Sequence, residues 1–368
     1  MYLEIQWGVL TAACTLPMYE DLKRRFDIEK VSRIMGVGRV KEFSVYIENS
    51  KPLNQKLNDG LGHIQWRQII RTDDHVFLKP NFTFPSYRYG VTTSPCLLEA
   101  LLGILKNRAS EITIIESNGG NNVFTADEAF RGHGIPKLCK EFGIDAVNLS
   151  DCPSTKAKDK IGSRTVEVSV PRFLPNEVDC FVCVPVLKVH AMTLVSLGIK
   201  NLWGCHPNPM RCLYHEDIDK KLALLTKLWN PRICIIDGTY ALDGHGPMFG
   251  QPVEMNLLIV GNNVVASDSV GASVMGFDPH HIKHIRVASE EKLGPIDLRS
   301  IRVNTDWRRF CRVFSFKRTP LDYLSLVPFH SELLAKIIFN SPFTSGIRRM
   351  VDIIRTSDEK EDLRGYVN

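Results

Sequence analysis

From Pro185 to Pro207 the chain reads PVLKVHAMTLVSLGIKNLWGCHP. Two lysines (Lys188, Lys200), two histidines (His190, His206), Asn201 and Cys205 are spread over a run that is otherwise apolar or glycine. Apolar residues of this kind belong in a core, where a lysine is almost never buried without a partner. A buried strand ending in Lys188-Val189-His190 and feeding an apolar helix that ends in Lys200-Asn201 sets cationic donors at the rim of a sheet. Open α/β sheets bind their ligands there. The plain alternative is that both lysines lay their stems along apolar surface and reach water. Several donors falling at element ends together favour a site.

Acids stand at three predicted strand or loop ends, Glu116, Asp237 and Asp268. Asp268 lies near a helix start, where capping alone explains a carboxylate. Glu116 precedes the polar turn Ser117-Asn118-Gly119-Gly120, and Asp237 meets a glycine-rich loop. Lys79, Lys188, His190 and Lys200 would face Glu116 and Asp237 across one crevice. That mixture suits an anionic substrate and a proton moved by histidine or lysine. The candidate catalytic residues are therefore His190, Lys188, Lys200 and Asp237. Lys79, Asn81, Glu116, Asn201, His215 and Asp268 are the candidate binding residues.

Metal readings are narrower. Cys205 and His206, with Cys212 and His215 nearby, have the makings of a thiolate or soft-metal site, although the spacing fits no zinc module. A metal ion is thus a candidate cofactor. Cys180 and Cys183 sit three apart in an apolar strand, so they point to opposite faces as buried structural cysteines. His280 and His284 fall one turn apart on a predicted helix with no third ligand in view, and with His281 they read as an exposed or helix-packing group.

The ordered motifs resemble those of the domain-of-unknown-function family numbered 362. They are Leu78-Lys79-Pro80-Asn81, Thr92-Thr93-Ser94-Pro95, Glu116-Ser117, and Lys188-x-His190 followed by Leu197-x-x-Lys200-Asn201-Leu202-x-Gly204-Cys205-x-Pro207. His215, Asp237-Gly238 with Gly246-Pro247, and Ala266-Ser267-Asp268 before Met275-Gly276 complete the set, over roughly residues 70 to 300. The resemblance implies a fold and a pocket but no settled reaction. Many members of that family carry a ferredoxin-like segment of closely spaced cysteines. This chain has none, so no built-in cluster is expected. A looser similarity to lactate-racemase-like proteins would imply nickel.

The elements that must position these residues follow from periodicity. Lys41–Glu48 alternates like a first strand, and His75–Leu78 is a short apolar one. Ser94 and Pro95 open an apolar helix through about Lys106. Ile112–Ile115 is a buried-type strand, and Thr125-x-x-Glu128 forms a capping box. A second short helix ends at Gly143, before the strand Asp145–Leu149. A lysine-rich loop (Lys156, Lys158, Lys160) precedes the strands Thr165–Val170 and Cys180–Leu187. Then come the motif helix, a helix over Glu216–Trp229, the strand Ile233–Ile236, a loop with Gly244, Gly246 and Pro247, and the strand Asn256–Val260. Two capped helices follow, the second starting at Asp278-Pro279. This alternation predicts an α/β fold, with mostly parallel sheets wrapped by helices in two interlocked lobes with a cleft. Residues 1–40 read as an N-terminal extension with a charged helix over Glu20–Lys30. Residues 41–304 read as the core. Residues 305–368 read as a basic and apolar appendage suited to a partner or membrane surface.

Composition bounds the function. At 368 residues, with 44% hydrophobic and 24% charged content, the chain has room for a sizeable core. A net charge of +5 makes no case for nucleic acid. No run approaches the ~20 apolar residues of a membrane span. Trp7–Leu16 follows Glu4 and precedes Lys23-Arg24-Arg25, the reverse of a secretory leader. Ten scattered cysteines favour a reducing compartment, so the cytoplasm is expected. Gly36-x-Gly38, Gly132-x-Gly134 and Gly244-x-Gly246 each lack the third glycine of a Rossmann fingerprint, which argues against a nicotinamide site. The expected activity is acid–base chemistry on a small carboxylate or phosphate. The alternatives are a redox enzyme with an external electron donor or metal, and a module that binds a ligand or partner without turning it over.

Overall fold

The computed structural model describes residues 42–173, 178–316 and 326–340. The predicted helix over 20–30 and the turn at Gly36 lie outside them. Among the described residues twelve strands form: β1 (Ser44–Glu48), β2 (His75–Pro80), β3 (Glu111–Glu116), β4 (Asp145–Asn148), β5 (Ser154–Ile161), β6 (Arg164–Pro171), β7 (Cys180–Val184), β8 (Val186–His190), β9 (Leu194–Ser196), β10 (Ile233–Asp243), β11 (Gln251–Gly261) and β12 (Arg302–Val303). Ten of them make one sheet in the order β12-β1-β11-β10-β7-β2-β3-β4, with β8 and β9 attached beside β10. β4, β3, β2, β7 and β10 run parallel, and β11 runs antiparallel between β10 and β1. The fold is α/β with a mostly parallel sheet and helices around it.

Side-chain alternation builds a core on each face. Cys180, Val182 and Val184 of β7 join the layer that holds the helices Leu53–His63, Pro95–Leu105, Ala126–Gly132 and Ile135–Phe142. Phe181 and Cys183 join the opposite layer, with the helices Ile218–Trp229, Val264–Val274 and Lys283–Glu290. The expected split of Cys180 from Cys183 is therefore observed, because successive strand side chains alternate. All nine described cysteines are free thiols.

Chain order fixes where a ligand site belongs. From β2 the chain steps outward to β3 and β4, then returns to the other side of β2 with β7. The order reverses between β2 and β7, the kind of switch point at whose carboxyl edge open α/β sheets commonly bind ligands. Lys79, Pro80 and Asn81 leave β2 at this point.

Several elements differ from their sequence patterns. The lysine-rich segment is β5, paired antiparallel with β6 from Ser154↔Pro171 to Ile161↔Arg164. The strand predicted over Cys180–Leu187 breaks at Pro185, and β8 turns to pair with β10 and β9. The long helix expected after His190 is instead β9 and a four-residue helix, Gly198–Asn201, running into a 3-10 turn, Leu202–Cys205. β10 continues past Asp237 to Asp243, so the glycine-rich loop is a hairpin connection to β11. His280 lies in an exposed 3-10 turn while His284 is buried in the next helix, so the two share no face. Thr125 and Glu128 do form the capping box. Of the predicted tail, Phe314 is buried, and the Arg312 and Phe314 N–H groups donate to the Val274 and Met275 carbonyls.

Packing around the four-residue helix is tight. A Cβ on Gly198 would lie 2.5 Å from Val264 Cγ2, 2.8 Å from Cys234 Sγ and 2.9 Å from Asp268 Oδ1. Gly62, exposed in the helix Leu53–His63, has nothing within 4 Å of such a Cβ. Gly198→Ala is expected to lower unfolding free energy by about 1–3 kcal/mol through overpacking. Gly62→Ala should raise it by about 0.5–1 kcal/mol through backbone entropy. Urea unfolding of the two variants reads both signs.

Candidate functional site

At the carboxyl ends of β2 and β3, Lys79 Nζ donates to Glu116 Oε2 at 2.6 Å and to the Pro80 carbonyl at 2.7 Å. Both side chains are buried. Glu116 also accepts the Ser117 N–H at Oε1 (3.0 Å) and the Phe82 N–H at Oε2 (3.2 Å). Gly204 leaves room for this pair, since a Cβ there would sit 2.9 Å from Glu116 Oε1 and 3.0 Å from Lys79 Nζ.

Asn81 links that pair to the motif segment. Its Nδ2 donates to Asn201 Oδ1 at 3.1 Å, and its Oδ1 accepts Lys188 Nζ at 3.0 Å. Asn201 Nδ2 in turn donates to the Lys79 carbonyl at 3.2 Å. Lys188, on β8 and fully buried, gives its other bonds to Thr83 Oγ1 (2.9 Å) and the Val91 carbonyl (2.7 Å). Burial pushes its ammonium well below the ordinary lysine range, helped by the charges of Lys200 and Lys79 and opposed by Glu116. Lys79, Asn81, Glu116, Lys188 and Asn201 are thus joined in one buried network whose polar atoms bond chiefly to each other.

Lys200 faces elsewhere. Its helix packs among Ile218–Trp229, Val264–Val274 and Lys283–Glu290. Among the described residues no hydrogen-bond acceptor or carboxylate takes its ammonium. Burial, and then Arg211, push it down to about 7, against a pull upward from Asp219. Three imidazoles lie within reach of its charge. His215 is held at about 3 by burial and then Lys200, and His284 at about 3 for the same two reasons. His190 is lowered by burial first, then by Lys200, His215, Lys188 and His284. His190 and His215 are partly exposed whereas Lys200 and His284 are buried, so the cluster runs from the surface inward.

Hydrogen bonds assign the tautomers. His190 Nδ1 accepts the Met192 N–H at 3.1 Å, so a neutral ring carries its proton on Nε2. His215 Nδ1 sits 2.8 Å from the Cys212 carbonyl and must donate to it, which leaves a lone pair on Nε2. One neutral imidazole therefore offers a donor and the other an acceptor.

The remaining candidates have local duties. Asp237 accepts the Ser94 N–H at 2.8 Å and the Thr239 N–H at 3.0 Å, so it tethers the start of the helix Pro95–Leu105, and the Ser94 side chain makes no cap bond. Asp268 lies in the second turn of its own helix, which Asn263 caps. It accepts the Gly198 N–H at 2.7 Å and the Ile199 N–H at 2.8 Å, capping the motif helix from across the core. Cys205 is fully buried, and burial pushes its thiol well above the ordinary cysteine range. His206 stacks on Tyr214 with 5.4 Å between centroids. Among the described residues no three His, Cys, Asp or Glu side chains are disposed to hold a metal. Sequence reasoning passed over Arg211, Asp219 and Thr83. It set His284 aside as well, although a histidine on the face that carries Ile285 and Ala288 was the signal for it.

Residues 76–273 match the family described as domain of unknown function (DUF362), more than half of the chain. The chain belongs to this family. The buried network and the motif residues from Leu78 to Asp268 lie inside the matched span, and Met275-Gly276 falls just beyond it. The chain is also similar to a thylakoid-associated protein, sll1697, of Synechocystis sp., at 34% identity over 125 residues. That stretch is 32% of this chain and 38% of the Synechocystis protein, so the chain spans well under half of that relative's length. No solved structure matches. No helix among the described residues is long and apolar enough to cross a membrane.

Glu116→Gln would leave the Lys79 ammonium buried without its countercharge, an expected loss of about 3–5 kcal/mol. Replacing both partners, as Lys79→Met with Glu116→Leu, is expected to cost less than Glu116→Gln alone. A double-mutant cycle by chemical denaturation measures the difference.

Proposed function

We propose that the protein is an enzyme that moves a proton on a small carboxylate- or phosphate-bearing metabolite held at Lys200. One observation carries this reading. Lys200 is a buried lysine without a carboxylate partner among the described residues, and its charge acts on a donor imidazole and an acceptor imidazole. Lysines that serve structure alone find acceptors, as Lys79 and Lys188 do here. Lys200 fixes the anion, His190 Nε2–H donates, and His215 Nε2 accepts. A bound anion offsets the Lys200 charge and lifts both imidazoles toward the range where general acid–base work is efficient. The buried network behind Lys200 keeps Asn201, and with it the motif helix, in place. A reducing, cytoplasmic setting goes with this reading, because scattered cysteines outside any disulfide framework suit such a compartment.

The affinity for an anion should depend on pH with a definite sign. Lys200 loses its proton near 7, so sulfate, whose charge is constant across this range, should bind about equally below pH 6. Above 7 its affinity should fall roughly tenfold per pH unit. Calorimetric titration of the wild type and Lys200→Met checks this. A flat profile, or equal affinity in the variant, would defeat the anion-anchor role. A panel of small carboxylates and phosphates screened by rise in Tm then supplies a ligand. Uptake of solvent deuterium into that ligand should be lost in His215→Asn while binding persists. Exchange at the wild-type rate in His215→Asn would refute the acid–base step.

A further inference from the structure

The hairpin of β5 and β6 shows two different faces. Val166, Val168, Val170 and Ile161 point into the core. Lys156, Lys158 and Lys160 alternate outward into solvent, opposite Ser169, Glu167 and Thr165. Lys156 pairs with Glu167 at 2.7 Å, while Lys158 and Lys160 have no ion pair among the described residues. The result is a ladder of lysines, one every second residue, with a single carboxylate in its midst.

An apolar surface adjoins the ladder. The helix Glu332–Phe339 and the turn before it expose Leu333 at 68%, Leu334 at 42% and Val327 at 50%. This segment is anchored rather than loose. Glu332 pairs with the mostly buried Lys221 at 2.9 Å, its N–H donates to Glu216 at 3.1 Å, and Phe329 meets the His215 ring edge-on at 5.1 Å. Lys221 belongs to the helix Ile218–Trp229, which also packs against β5 and β6, so the hairpin and the helix Glu332–Phe339 rest on one shared support. Large apolar side chains exposed together beside unpaired lysines are the two signals that peripheral membrane binding needs.

We propose that the lysine ladder of the hairpin and the exposed leucines of the helix Glu332–Phe339 form one docking surface for an anionic lipid bilayer. The lysines meet the headgroup charge and the leucines enter the acyl boundary. The described helix has eight residues against the ~20 of a span, so it lies on the bilayer instead of crossing it. Neither signal alone gives stable attachment, and together they do.

Cosedimentation of the full chain with vesicles tests this. Vesicles of phosphatidylglycerol and phosphatidylcholine in equal amounts should retain it, and vesicles of phosphatidylcholine alone should not. Each lysine removed should cost about fivefold in affinity at low salt, so Lys158→Gln with Lys160→Gln should lose roughly 25-fold. High salt, or Leu333→Ser with Leu334→Ser at low salt, should each remove most of the retention. Unchanged Tm and circular dichroism in the variants keep a folding defect from passing as a result. Absent binding, equal binding to both vesicle types, or binding indifferent to either pair of substitutions would overturn the proposal. So would a lipid-free dimer that Leu333→Ser dissociates, since a second copy would then occupy the apolar surface.

Discussion

The Asp268 carboxylate takes the backbone N–H groups of Gly198 and Ile199, and the positions of Lys200 and Asn201 follow from those two bonds. A helix of four residues has no stability of its own, because nucleation costs more than one turn returns. Its first N–H groups are also orphans that must find acceptors. Asp268 supplies both from a neighbouring helix, and Gly198 admits the close approach by lacking a Cβ. Burial still strains the carboxylate, whose pKa is raised to about 7 against the pull of its two donors. That strain is tolerated where it fixes the residue with the unclaimed charge.

Three lysines in one region meet burial in three ways. Lys79 has a carboxylate, Lys188 has three neutral oxygens, and Lys200 has only the charge of Asp219 to set against that of Arg211. Desolvation disfavours all three ammoniums, so the difference lies in compensation. The first two close the crevice at the switch point between β2 and β7 and make it rigid. The third is left at the edge of the rigid part, a position that suits the anion-holding role proposed for it.

Much of this was legible in the sequence. The apolar strands, the helix opened by Pro95 and the capping box at Thr125 depend on local periodicity and local hydrogen bonds, so they read directly. The motif residues also read as a group, because lysines in an apolar run demand partners. What each lysine bonds to did not read. Thr83 and the Val91 carbonyl lie in a loop whose path is set by the sheet, and Asn81 serves two partners at once. The strand β5 hid behind its lysines, since its inward residues Ala157 and Asp159 carry little apolar signal until Ile161. The helix expected after His190 failed because β8 and β9 pair with each other, a tertiary choice that local propensity does not contain.

The buried imidazoles have a consequence for the whole molecule. His133, His206, His215 and His284 are held neutral down to about 3 or 4, chiefly by burial, whereas an unfolded chain would protonate them near 6.5. As pH falls through that interval the unfolded chain gains protons that the native one refuses, and stability drains at roughly 1.4 kcal/mol per pH unit for each ring. Asp268 works in the opposite sense between about 7 and 4, and Asp219, Asp74 and Asp151, whose carboxyls burial also raises, act with it. Tolerance of acid in this protein is therefore set by the balance between these rings and the buried carboxyls that oppose them.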